Sequence, residues 1–358
     1  MLTAISKKDR ALESCIKYDS KYDIAKFILS LSVLAIHSTL YPMILYPWLR
    51  IAVPLFFIMS SYFLFLKLRE TSEDKHKSIL KKFVVRNLQL YLCWLTILLP
   101  ITIYLRKEVW FSNGFFENLQ IILKHTFFGS TFVASWFITA TVTGVLIVYF
   151  LSKLPNSNYF LLMVSAAAFF FVTLASSYQS IIADTVLSAI IDKYIDIFGG
   201  LVCSFPAAIF WVFVGKLFAE EKIKLKSVPL LIILTVCSCA ALFFEWKFVI
   251  SLDGSYNNDS YFMLAPVCVL LFMSIIKIRP FSWNKSVCLK RASTIIYVVH
   301  GSLLPVVSKL IAVIFKIRIP LVSFFVTFIG CIGIYILIEV AIRKCCKHRM
   351  MKILKMLY

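Results

Sequence analysis

The sequence predicts an all-α polytopic membrane protein: a bundle of about ten transmembrane helices with both termini in the cytoplasm. Three observations lead there. First, 61% of the 358 residues are hydrophobic and only 16% charged, with a mean hydropathy of +0.88. Soluble domains run near 45–50% apolar and about 25% charged. Second, apolar runs of bilayer-spanning length recur along the whole chain. Third, Lys and Arg fall unevenly on the two sides those runs would create.

The runs lie at 24–41, 51–66, 87–104, 136–152, 158–175, 198–218, 228–246, 260–276, 294–314 and 320–341. With the N-terminus inside, 29 basic residues lie on the cytoplasmic side and 9 on the other, which fixes the expected orientation. The stretch 176–197 is amphipathic, with Asp184, Asp192 and Asp196 among apolar residues, and is expected to lie on the surface. The domain reading is a cytoplasmic segment 1–23, a single membrane domain 24–342 and a basic cytoplasmic tail 343–358. Residues 1–23 are polar and mixed in charge, so no cleavable signal peptide is expected.

This composition excludes a soluble two-domain enzyme. The net charge of +20 invites a nucleic-acid reading, but the cations sit in short stretches between apolar runs and leave no folded basic domain. The 10 cysteines are scattered through apolar runs, and neither Cys237/Cys239 nor Cys345/Cys346 has a second pair at zinc spacing. No disulfide framework and no metal are expected.

An ionisable side chain at membrane depth is costly and marks function by default. Lys26 and His37 are eleven residues apart, three helical turns, so they share a face with Asp23 and Ser30 about 16 Å along the first helix. Asp23 can pair with Lys26 across i, i+3. Two blander roles compete: Lys26 snorkelling to the interface, and His37 satisfying a backbone carbonyl. Arg50 opens the second run, outside or at the outer interface, with a headgroup anchor as the blander role. Within that run Pro54 breaks helical hydrogen bonding, and the pair Ser60-Ser61 supplies small residues for close packing. Lys81, Lys82 and Arg86 form a basic stripe able to attract an anion. Trp136 reads as an interface aromatic. Tyr297 and His300 face one way at i, i+3, with a bond from His300 to a neighbouring helix as the alternative role. Lys216, Glu245, Lys309 and Glu339 complete the buried ionisable set, Glu339 near enough to an end to reach water.

These residues resemble the acyltransferase-3 family of integral membrane O-acyltransferases. Asp23-x-x-Lys26 followed by His37 resembles its opening motif, with ten residues between the basic residue and the histidine. Arg50 through Leu64, with Val53-Pro54-Leu55-Phe56-Phe57 and Ser60-Ser61-Tyr62, resembles its second-helix signature. Ser135-Trp136-Phe137, Gly215 and Tyr297-x-x-His300 resemble later elements. Three departures stand out: Lys26 where many members carry Arg, Ser61 where Gly is usual, and Lys82, Arg86 and Gln89 in place of a clean Arg-x-x-Arg.

The resemblance implies transfer of an acyl group, usually acetyl, from cytoplasmic acetyl-CoA or another acyl-CoA to a hydroxyl of a cell-surface glycan or its lipid-linked precursor. It also implies a bacterial inner or plasma membrane. His37 is then the catalytic base, or a transient acyl acceptor. Lys26, Lys82 and Arg86 bind the donor phosphates. Arg50, Ser60, Trp136, Tyr297 and His300 are candidates for acceptor binding. No appended extracytoplasmic domain is expected, so transfer finishes in the bundle. A transporter or flippase using His37 and Glu339 as a proton relay is the main competing reading, and it lacks the inverted repeats such carriers show. A membrane sensory module is the third.

Overall fold

The computed structural model describes residues 19–39, 43–155, 157–253, 258–345 and 348–358. Among them all regular structure is helical. Most of the expected segment 1–23, the end of the first run at 40–41, and residues 346–347 of the tail lie outside the described residues.

Asp19 caps the first helix, α1 (Ser20–Ser38): its Oδ1 accepts from the Lys21 amide at 3.3 Å. The helix ends where Thr39 turns left-handed at φ 55°. The chain then makes one helical turn, Tyr46–Leu49, and resumes as α2 (Ala52–Arg69). Pro54 cannot donate to the carbonyl of Arg50, and the helix is interrupted at Arg50–Ile51, as a proline three residues further on requires. Next come α3 (His76–Trp110), α4 (Phe115–Phe127), α5 (Ser135–Leu151), α6 (Ser157–Ser177) and α7 (Val186–Phe198). The remainder are α8 (Pro206–Ala219), α9 (Val228–Asp253), α10 (Leu264–Lys277), α11 (Ser286–Phe315), α12 (Pro320–Lys344) and α13 (His348–Leu354).

Each of the ten apolar runs falls on one of these helices. Six described segments are long and apolar enough to cross a membrane: Tyr46–Arg69, Glu73–Trp110, Ser157–Ser177, Val228–Leu252, Ser286–Phe315 and Pro320–Lys344. The apolar helices α5, α8 and α10 are shorter, and α1 carries Lys21, Asp23 and Lys26 in its first two turns. The run at 198–218 becomes helical only from Pro206, because Gly199, at φ 90°, ends α7 and the chain turns before restarting. The surface reading of 176–197 agrees with α7, of which only Ile191 is buried.

A lipid-facing helix keeps its apolar side chains outward, since lipid replaces water as their solvent. The apolar stretch of α9 is only 11% buried, and Val236 and Phe244 stand more than 60% exposed. Inside the bundle α1 lies along α11, and α2 lies along α8, which α5 and α6 flank. Close approach there depends on small residues. A Cβ on Gly215 of α8 would sit 2.0 Å from Ser61 Oγ and 2.6 Å from the Ile58 carbonyl oxygen of α2. Gly215 and Ser61, read separately from the sequence, are the two halves of one helix contact.

Candidate active site

The last turn of α1 delivers His37 to a cavity of about 300 Å³, and α11 delivers His300 and Tyr297 to the same cavity. The two imidazole rings lie 5.1 Å apart, centroid to centroid. His37 is exposed to the cavity, whereas His300 is 1% exposed. His300 Nδ1 lies 2.9 Å from the Ile296 carbonyl oxygen, one turn earlier in its own helix. A carbonyl only accepts, so Nδ1 carries the proton and Nε2 keeps a lone pair. That Nε2 is buried with no hydrogen-bond partner among the described residues. The alternative in which His300 binds a neighbouring helix is therefore corrected: its bond is to its own helix, which leaves the ring edge free for chemistry.

Arg50, at the break before α2, forms an ion pair with Asp259, and its guanidinium lies 4.5 Å over the Tyr46 ring. Both charged groups line the cavity. Asp259 is held from behind: its amide and that of Ser260 donate to Ser176 Oγ at 2.8 and 3.1 Å. Ser260 Oγ also meets Thr173 Oγ1 at 2.9 Å. Just beyond, the amides of Phe262 and Met263 donate to Glu245 at 2.6 and 2.7 Å, and Tyr178 Oη donates to the same carboxylate. Glu245 thus fixes the loop that presents Asp259 and starts α10. Its depth in the bundle serves structure.

Ser130, Val133 and Ala134 also line the cavity, in the segment leading to Trp136 in the first turn of α5. Gly301, beside His300, lets this segment rest on α11: a Cβ there would fall 2.3 Å from Val133 Cβ. Arg106 of α3 donates to the Ser130 carbonyl at 3.4 Å and lines the cavity as a second guanidinium. Below, Tyr297 packs with Phe56 and Phe137 at 5.4 and 5.2 Å in an aromatic floor.

The structure therefore brings together His37, Arg50, Trp136, Tyr297 and His300 of the expected site residues. Ser60 is half-buried and lies outside this cavity; its neighbour Ser61 spends its hydroxyl on the Phe57 and Ile58 carbonyls. Lys26 lies at the other end of α1, with its ammonium 5.6 Å over the Phe63 ring and within electrostatic range of Asp23, Arg86 and Lys290. Asp23 accepts from Ser286 Oγ at 3.1 Å, tying α1 to the start of α11. Lys82 is exposed and lines neither this cavity nor the basic pocket described below. Glu339, expected to reach water, instead accepts from Arg291 at 2.6 Å. Reading the sequence missed Asp259, Arg106 and Cys203, which also lines the cavity. The available signal was the acidic residues Asp253 and Asp259 in the segment between the seventh and eighth apolar runs, set against an unmatched Arg50.

The sequence profile of the acyltransferase domain family matches residues 19–340, nearly the whole chain. The chain belongs to the acyltransferase-3 family. This membrane acyltransferase gives no significant match to a curated protein or to a solved structure. The matched span contains every residue that lines the cavity and ends ahead of the segment 348–358.

Proposed function

We propose that this acyltransferase moves an acyl group, in the first instance acetyl, from acyl-CoA to a hydroxyl of a cell-surface glycan or its lipid-linked precursor. The observation that carries the reading is the His37–His300 pair in a cavity that also offers Trp136 and Arg50. A sugar hydroxyl is a weak nucleophile, and a positioned base that takes its proton contributes about 10²–10⁴-fold. His37, exposed to the cavity, is the base. The hydroxyl oxygen attacks the thioester carbonyl, the C–S bond breaks, and the thiolate leaves with the proton His37 took. His300, with its free Nε2 acceptor, orients a hydroxyl or the His37 N–H. Trp136 offers an apolar face on which a sugar ring packs, and Arg50, fixed by Asp259, reads polar groups at the mouth.

The donor fits the other end of α1. Lys26 lies about 16 Å along the helix from His37, a span a long thioester arm bridges, and Arg86 of α3 is within electrostatic range of Lys26. In this reading both termini are cytoplasmic, the Lys26 end faces the cytoplasm and the His37 end faces the cell surface, in a bacterial plasma membrane.

The test compares ester-linked acyl groups on surface glycans from a strain lacking the gene and complemented with either wild type or His37→Ala. Wild type restores an acyl mark and His37→Ala does not, at equal protein in the membrane. An unchanged mark in both strains would sink the enzyme reading and favour the transporter.

A further inference from the structure

A second pocket, of about 270 Å³, lies between α3, the start of α11 and the segment that follows α12. Arg86, Lys290, Arg291 and Lys355 line it. Among the described residues, Arg291 pairs with Glu339 and Lys290 lies within electrostatic range of Asp23, which leaves the four cations in excess over the carboxylates near them. Four cations around one small space repel one another unless an anion joins them. The wall that supplies Lys355 is docked in place. Trp94 Nε1 donates to the Leu357 carbonyl at 3.1 Å, Leu357 is 5% exposed, and the Arg291 guanidinium lies 5.2 Å over the Tyr358 ring. Lys355 is therefore carried on an anchored support whose ring stacks with a cation of the pocket. Lys26 adds a further positive charge within electrostatic range of Lys290 and Arg86.

We infer that this pocket is a phosphate-binding site for the phosphate-bearing end of the soluble acyl donor, and that the segment 348–358 is its closing wall, with Lys290 and Lys355 as ligands. The inference rests on the acyl-CoA reading above and goes beyond it by assigning the anchoring role to two residues outside the motifs quoted above, one of them, Lys355, outside the matched family span. An anionic lipid headgroup offers the same phosphate chemistry, and the soluble donor is favoured because the pocket sits at the Lys26 end of the helix that leads to His37.

The experiment uses the full chain in nanodiscs of neutral phosphatidylcholine and measures binding of CoA, of inorganic pyrophosphate and of a pantetheine thioester lacking phosphate. Each charge-assisted phosphate contact is worth roughly ten-fold or more in affinity. Lys355→Ala and Lys290→Ala each weaken CoA and pyrophosphate about ten-fold and leave the pantetheine thioester unchanged, while Lys355→Arg retains binding. Lys355 is exposed, so its replacement leaves the fold intact. Wild-type affinity for CoA in both alanine variants overturns the site while leaving the acyltransferase reading standing. Lys355-dependent binding of pyrophosphate without any binding of CoA keeps the site and removes the acyl-CoA reading. Loss of phosphatidylglycerol binding in Lys355→Ala, with CoA affinity unchanged, reassigns the pocket to lipid and overturns the proposal.

Discussion

The two ends of α1 are built on opposite electrostatic plans. At the His37 end the cavity is walled by aromatic and aliphatic side chains, Arg50 is matched by Asp259, and the remaining polar groups include a neutral-compatible imidazole pair. At the Lys26 end the pocket is cationic, lined by four basic side chains, with Glu339 paired to Arg291 and Asp23 within electrostatic range of Lys290. Charge balance holds geometry, because a paired and hydrogen-bonded charge is fixed in place. Charge imbalance attracts, because the cost of crowding cations is relieved only by an incoming anion. The first region is suited to positioning reacting atoms and the second to holding an anionic handle.

The largest effect that tests this division is at His37. His37→Ala is expected to lower acyl transfer by about 10²–10⁴-fold while donor affinity at the far end changes little; equal losses in both would mean the two ends are one site. Next comes the helix contact between α2 and α8, which supports the aromatic floor. Gly215→Ala forces a methyl against Ser61 Oγ and the Ile58 carbonyl, and overpacking of this kind costs about 1–3 kcal/mol. Thermal unfolding in detergent should register it, and Ser61→Gly should restore only part, since the backbone oxygen remains.

Ionic strength separates the ends more finely. Donor affinity should fall several-fold between low and high salt, because exposed cations are screened beyond about 10 Å at 0.1 M salt. Acceptor affinity at the His37 cavity, where Asp259 offsets one of the two guanidiniums, should move less. A double-mutant cycle on Arg50→Ala and Asp259→Asn should return a coupling of about 1 kcal/mol in stability, discounted for the partial exposure of Asp259. Zero coupling would make Arg50 a simple headgroup anchor.

The smallest effect expected is a pH response confined to the His37 side. Trp110 Nε1 donates to His125 Nδ1 at 2.8 Å, joining α3 to α4 just ahead of the cavity wall. Burial, helped by nearby Arg106, holds the His125 imidazole below its ordinary value of 6.5. The folded state therefore binds fewer protons than the unfolded state in that range. Its stabilising contribution is complete above about 6.5 and is lost as pH falls through the lowered value. Amide protection in 111–135, corrected for the intrinsic pH dependence of exchange, should fall on acidification, and His125→Asn should flatten the response.

Periodicity placed Lys26 and His37 on one face of α1, and the structure keeps them on one helix whose two ends serve different pockets. Arg50, Trp136, Tyr297 and His300 were legible individually because each is polar or amphipathic within an apolar run. That they meet His37 was not legible, since helices distant in sequence bring them together. Ser60 and Lys82 were assigned by position in a motif, and their side chains point elsewhere. Asp259 looked like an ordinary residue between two runs until Ser176 and Glu245 fixed its loop in front of Arg50.

The sequence by itself determined that the chain is helical, apolar enough for a bilayer and a member of its family, because hydropathy and short motifs are local properties. Tertiary structure decided which charges are matched, which histidine nitrogen is left without a partner, and that the segment 348–358 folds back beside Arg86 and Lys290. Those outcomes depend on distances between helices set by residues as small as Gly215 and Gly301, and no one-dimensional pattern encodes a distance.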